Sequence, residues 1–225
     1  MIKEAEAAAG SDWINFLEQH DLRSQIVMAH IRTATMGDKV YCSMQPFARE
    51  LAGRMHFFAH NGWLPGITDS PLFGLKRFHP VGETDSEVAF CALLDRLSGI
   101  WIWPGEIPSQ EDRMAILLAF AAELRVLGPA NFLYSDGQIL VGHGHRRKQP
   151  TGSKIESPGL VYLHRHCGRR SEVRMANGVT VEGADQTVTL HASVPLTDES
   201  WRPMSEGELV AVCNGEVSIY HPNEI

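Results

Sequence analysis

Three short segments carry side chains that could hold a small amino acid and polarise a carbonyl. Residues 29–37, AHIRTATMG, put Arg32 inside an apolar run. A guanidinium there needs a partner, because an unpaired buried charge is very costly. Its planar fork suits a substrate carboxylate gripped by two parallel hydrogen bonds. Residues 60–62 read His-Asn-Gly. The side-chain amide of Asn61 and the backbone N–H of Gly62 can converge on one point, as an oxyanion hole requires, and glycine lets the backbone come close. Residues 83–87, ETDSE, place Asp85 where it could face an ammonium group.

Each segment by itself has a plainer reading. Arg32 suits an internal Arg–carboxylate pair. Asn61-Gly62 suits a type I′ hairpin turn. Thr84 and Glu87 form a capping box, and acidic residues favour a first helical turn. Together the three are a more specific set. A carboxylate clamp, an oxyanion hole and an ammonium clamp hold a free α-amino acid by its head group while polarising a carbonyl farther along its side chain.

The elements that must place these groups follow from local pattern. Residues 11–20 predict a short helix, with Ser11 as N-cap and Trp13, Phe16 and Leu17 on one face. Residues 24–35 and 54–59 predict strands, and residues 36–53 between them a connection. Residues 67–80 are a loop rich in Pro, Gly and aromatics, a candidate lid. Thr84 opens a helix closed by Gly99, and Ser109 with Asp112 opens a longer one stopped by Gly128-Pro129. Hairpin strands then flank Asp136-Gly137, Asn177-Gly178 and Asn214-Gly215. TVTLHASVPL adds a further strand. Strands, two consecutive helices and many antiparallel strands predict an α+β fold, with helices packed on antiparallel sheets.

The 225 residues suit a single sizeable domain; 44% are hydrophobic and 21% charged, so a core can form. The net charge is −7, and the densest basic piece, Arg146-Arg147-Lys148, is short. A dedicated nucleic-acid surface is therefore not expected. No apolar run approaches membrane-spanning length, and the first residues lack the pattern of a signal peptide. Cys42, Cys91, Cys167 and Cys213 are widely spaced and read as reduced thiols of a cytoplasmic protein. His143 with His145, and His164 with His166, could each share a face toward a metal. No carboxylate or CxxC spacing completes either set, and neither a metal nor a cofactor is expected.

The segments AHIRTATMG, AHNGWLPG and VGETDSE, in this order and at these intervals, resemble the class II glutamine amidotransferases of the N-terminal-nucleophile (Ntn) hydrolase fold. PFARELAGR, GHGHRRK and ASVPLTDESW resemble the compact stand-alone branch, so the resemblance runs through nearly the whole chain. It implies a four-layer α/β/β/α sandwich of antiparallel sheets. It also implies that Arg32, helped by Thr35, binds the substrate α-carboxylate, that Asn61 and Gly62 form the oxyanion hole, and that Asp85 holds the α-amino group. Gln45 stands where the stand-alone members usually carry His.

In that family the nucleophile is a cysteine left at the N-terminus after Met removal, with its own α-amino group, of reference pKa near ~8, as general base. This chain begins Met1-Ile2-Lys3. The expectation is therefore one amidotransferase domain over residues 1–225 that is N-terminally shortened and lacks its first strands. Exposed strand edges would then give poor solubility or a homodimer that covers them. The function expected is hydrolysis of the γ-amide of glutamine, or of a γ-glutamyl compound, by thioester chemistry, with this chain inactive for want of the nucleophile. Ammonia would pass to a separate accepting protein or be released. The alternative is a non-catalytic module that binds glutamine or a γ-glutamyl compound.

Overall fold

The computed structural model describes residues 1–3, 11–20, 24–31, 41–149, 152, 154–168, 172–174, 180–182 and 185–222. Helix α1 (Asp12–Gln19) begins where expected, with Ser11 Oγ accepting the N–H of Ile14 at 3.1 Å. Its Trp13, Phe16 and Leu17 are exposed rather than packed. No strand occurs in residues 24–31, against the expectation for residues 24–35; the rest of that stretch, with Arg32 and Thr35, lies outside the described residues. A strand is a property of pairing, and residues 24–31 have an apolar run without a ladder.

A second correction concerns residues 36–53. They include β1 (Phe47–Leu51), paired antiparallel with β2 (Arg54–Gly62) from Phe47↔Phe58 to Leu51↔Arg54. The hairpin turns through Ala52 and Gly53, at φ 52° and 78°. Strand β2 also runs past the expected residue 59 to Gly62, so residues 60–62 are strand rather than a turn.

After two single turns of 3-10 helix (Ile67–Asp69 and Pro71–Phe73) come α2 (Asp85–Leu97) and α3 (Gln110–Leu127). Thr84 Oγ1 accepts from Glu87 N at 3.2 Å and Ser109 Oγ from Asp112 N at 3.0 Å, so both caps form as predicted. Glu87 does not complete the capping box. Its buried carboxylate instead accepts the N–H groups of Val81 (3.1 Å) and Gly82 (2.8 Å) and pairs with Arg49 of β1.

The remaining strands are β3 (Ala130–Ser135), β4 (Ile139–His143), β5 (Arg147–Lys148), β6 (Ile155–Glu156), β7 (Val161–Cys167), β8 (Glu172–Arg174), β9 (Thr180–Glu182), β10 (Gln186–Ala192), β11 (Arg202–Pro203), β12 (Leu209–Cys213) and β13 (Glu216–Tyr220). Six form an antiparallel sheet in the order β1-β2-β3-β4-β12-β13, and three form a second sheet, β10-β7-β11. The turn at Asn214-Gly215 forms as expected, while the β3–β4 hairpin turns over residues 136–139, centred on Gly137-Gln138 and not on Asp136-Gly137, with Asp136 Oδ1 accepting the N–H groups of Gln138 and Ile139; Asn177-Gly178 lies outside the described residues, between the paired β8 and β9.

Period-two alternation sends the large sheet's side chains to two cores. Phe132, Tyr134, Leu209 and Ala211 pack with α2 and α3, while Leu133 and Val210 pack with Leu160, Tyr162 and Met204 of the small-sheet layer. Among the described residues the layers are thus helices, large sheet and small sheet, three of the four expected, and the α+β fold of helices on antiparallel sheets is the one the sequence predicts. Phe58 stacks on Phe90 of α2 at 5.5 Å and meets Phe132 of β3 at 5.3 Å, which seats α2 on β2. Each fully buried Phe contributes about 1.5–3 kcal/mol. Among the described residues, no helix is long and apolar enough to cross a membrane.

Candidate functional site

Strand β2 overhangs β1. Pairing with β1 stops at Phe58, whereas pairing with β3 continues through Ala59↔Leu133 and Asn61↔Asn131 to Gly62↔Ala130. Beyond Phe58 the N–H of His60 is met by the side-chain oxygen of Gln45, which lies just before β1. Backbone groups alternate along a strand, so the N–H of Gly62 points to this same open edge. Asn61 and Gly62 are both exposed.

Gly62 has a packing reason to be glycine. A Cβ there would lie 1.8 Å from the carbonyl oxygen of Pro129 and 2.6 Å from Nε2 of His60. The close approach that the sequence suggested is therefore made by the chain's own backbone. Residues 129 and 130 are held by three donors. Trp63 N–H and His60 Nε2 reach Pro129 O at 3.1 and 3.3 Å, and His143 Nδ1 reaches Ala130 O at 2.6 Å.

His60 and Asn61 face opposite layers. His60 points to the helices, where Nδ1 lies 2.9 Å from Ser86 Oγ. The Pro129 carbonyl can only accept, so Nε2 carries the proton, and Nδ1 faces the Ser86 hydroxyl, which also lies 3.1 Å from Asp85 Oδ1. Burial pushes the His60 pKa down to about 4, against the opposing pull of Asp85, so the ring is neutral. Asn61 points the other way and donates from Nδ2 to Ser193 Oγ, just past the end of β10, at 2.9 Å.

Asp85 is the first residue of α2. Its Oδ2 accepts the N–H of Leu64 at 2.7 Å and its Oδ1 the N–H of Ser86 at 2.7 Å. The carboxylate is half-buried and ties the helix N-terminus to the segment that leaves Gly62. The positive end of the helix dipole favours its charge. Two of the three predicted clusters are thus brought together by a direct hydrogen bond. The third, with Arg32 and Thr35, lies outside the described residues, but the chain leading to it is adjacent. Ala29 and His30 share a cavity of about 90 Å³ with Asn61, Asn131, His191 and Ser193, between β2–β3 and β10.

Sequence reasoning did not single out Ser86, Asn131 or Ser193 as partners of these groups. Asn131 carried a usable signal, a fully amide-bearing residue inside the apolar strand NFLYS. It is buried, donates to Asn61 O at 2.9 Å and to Arg146 O at 2.8 Å, and accepts from His145 N at 2.8 Å. The histidine pairs behave differently from the metal reading. His143 and His145 are buried, with His143 pushed by burial to about 3. His164 contacts Thr189 at 2.8 Å and His166 contacts Asp185 at 2.8 Å. Among the described residues no group of three or more His, Cys, Asp or Glu could hold a metal. Cys91 is buried in α2 and its thiol is pushed up to about 11 by desolvation, the wrong direction for a nucleophile.

Comparison with known proteins gives the family. The family described as "Glutamine amidotransferases class-II" matches residues 1–225. An uncharacterized protein of Methanocaldococcus jannaschii is 32% identical over 199 residues, which cover 87% of this chain and 52% of that protein. The Escherichia coli K12 protein named "Putative glutamine amidotransferase YafJ" is 31% identical over 95% of this chain and 80% of its own length. Among solved structures, a predicted glutamine amidotransferase from Pseudomonas aeruginosa PA01 is 34% identical with TM-score 0.61, over 79% of this chain and 65% of that one. The chain therefore spans about half the length of the archaeal relative and about two thirds of the Pseudomonas structure. A family match that runs through every segment building the edge at Asn61 leaves one assignment: the chain belongs to the class II glutamine amidotransferases.

Proposed function

We infer that the edge at Asn61 is the substrate site of a glutamine amidotransferase-type amidohydrolase. In this reading Asp85 holds the α-amino group of glutamine or a γ-glutamyl compound, and Arg32 with Thr35 holds the α-carboxylate. The Asn61 amide and the Gly62 N–H receive the γ-carbonyl oxygen as it gains charge. The observation that supports this most is the bond from Leu64 N–H to Asp85 Oδ2, which sets the carboxylate beside the strand end that presents Asn61 and Gly62. The nucleophile belongs to an N-terminal cysteine, and in these residues Met1 is followed by Ile2. The chain starting at Met1 is expected to bind substrate without hydrolysing it. The ammonia of the full reaction would go to a separate acceptor protein or to solvent. Four unpaired thiols fit a cytoplasmic setting.

A second reading, a non-catalytic glutamine or γ-glutamyl-binding module, draws on the burial of Cys91 and Cys167, which leaves neither thiol at the edge. Isothermal titration with L-glutamine tests what the two readings share. Binding is expected in the parent chain, weakened roughly 10- to 150-fold in Arg32→Ala by loss of a charged hydrogen-bond partner. No binding by the parent chain overturns both. An ammonia-release assay then separates them, since hydrolysis by the chain starting at Met1 would overturn the expectation of inactivity.

A further inference from the structure

The segment ASVPLTDESW, residues 192–201, has no role in the reading above, yet its Ser193 makes the one described hydrogen bond to the Asn61 side chain. We propose that Ser193 is a positioning residue for the Asn61 amide, and that residues 193–201 form a bracket which aims it. The proposal rests on the proposed role of Asn61.

Asn61 is exposed, and the last torsion of an Asn side chain is broad, so an unheld amide would turn through many orientations. Here the residue is held at its main chain and its amide at Ser193. Its main-chain oxygen accepts from Asn131 Nδ2 at 2.9 Å, and its Nδ2 donates to Ser193 Oγ at 2.9 Å. An amide nitrogen has two N–H groups. With one spent on Ser193, the other is left in a set direction for a ligand oxygen. Both holders are themselves fixed. A Cβ at Gly159 would fall 1.6 Å from Asn131 Oδ1, so a glycine leaves the space Asn131 fills. Beyond Ser193, Trp201 Nε1 donates to Thr197 Oγ1 at 3.0 Å, and Thr197 Oγ1 donates to Glu199 Oε2 at 2.8 Å. Glu199 Oε1 pairs with Arg165 of β7 at 2.6 Å. The loop is thereby strapped to the middle strand of the small sheet.

A purely stabilising role is a poor account of the Ser193 contact. A bond between exposed side chains contributes little to folding, because water replaces it readily. The same bond matters where the orientation of one N–H decides whether a substrate oxygen finds a donor.

The test uses Ser193→Ala and Ser193→Thr in the 225-residue chain. Nuclear magnetic resonance follows the two side-chain amide protons of Asn61, assigned by their disappearance in Asn61→Asp, and calorimetry follows L-glutamine binding. Ser193→Ala should bring the two proton shifts together, speed their exchange with water and weaken glutamine binding roughly 3- to 10-fold, the scale of one hydrogen bond. Ser193→Thr, which keeps the hydroxyl, should restore both. An amide pair unmoved by Ser193→Ala overturns the proposal, as does a moved pair with unchanged affinity. A parent chain that does not bind glutamine overturns the substrate reading instead, while the amide shifts still decide whether Ser193 holds Asn61.

Discussion

Asp85 offers the sharpest division between holding the fold and holding a ligand. Its two carboxylate oxygens accept the N–H groups of Leu64 and Ser86, each at 2.7 Å. In Asp85→Asn one of those oxygens becomes an NH₂ group and must face a backbone donor. Leaving such a donor unsatisfied costs about 1–3 kcal/mol, so the variant should be less stable by that amount in urea. The ligand effect is separate. A hydrogen bond to a charged group is worth about 1.5–3 kcal/mol, or roughly 10- to 150-fold in Kd. The assay is calorimetry with two ligands, L-glutamine and glutaric acid monoamide, which is the same molecule without the α-amino group. The parent chain should prefer glutamine by that factor, and Asp85→Asn should lose the preference while binding the monoamide nearly as before. The pair of ligands isolates the ammonium contact in the manner of a double-mutant cycle. Equal losses for both ligands would refute an ammonium clamp and leave Asp85 as a strut for Leu64.

Two further outcomes follow from the geometry. Gly62→Ala must displace backbone, since its Cβ would lie 1.8 Å from Pro129 O; overpacking of that kind costs about 1–3 kcal/mol by urea denaturation, and a variant as stable as the parent would show the strand end to be looser than described. Burial holds His56, His60 and His191 at about 4 and His143 at about 3, below the unfolded value near ~6.5. The unfolded chain therefore binds protons that the folded chain refuses. Stability is fully present above about pH 6.5 and falls as pH drops toward about 4, by up to ~1.4 kcal/mol per histidine per pH unit. Equal urea midpoints at about pH 7.5 and about pH 5 would contradict this.

Local chemistry was legible in the sequence wherever it is self-contained. Ser11, Thr84 and Ser109 cap their helices through bonds three residues away, and the hairpins near Gly137 and at 214–215 turn on their own residues. What was not legible depends on distant partners. The strand β1 carries Arg49 and Glu50 at its centre and turns on Ala52-Gly53, so it lacks both the apolar run and the Asn-Gly signal; Glu87 of α2 pairs with that arginine. Residues 60–62 look like a turn because Asn-Gly usually is one, and they stay extended because Ala130 and Asn131 of β3 lie opposite. Ser193 reaches Asn61 from just past the end of a strand in another sheet, a neighbour that no local pattern announces.

The opposed directions of His60 and Asn61 carry one more consequence. Consecutive residues of β2 answer to different interiors, one to the helices through Ser86 and the other to the small sheet through Ser193. A molecule spanning Asp85 and Asn61 would therefore act as a rivet between the layers on the two sides of the large sheet. Its grip would be felt as slower local opening in α2 and in β10 together, although it touches the edge of neither core.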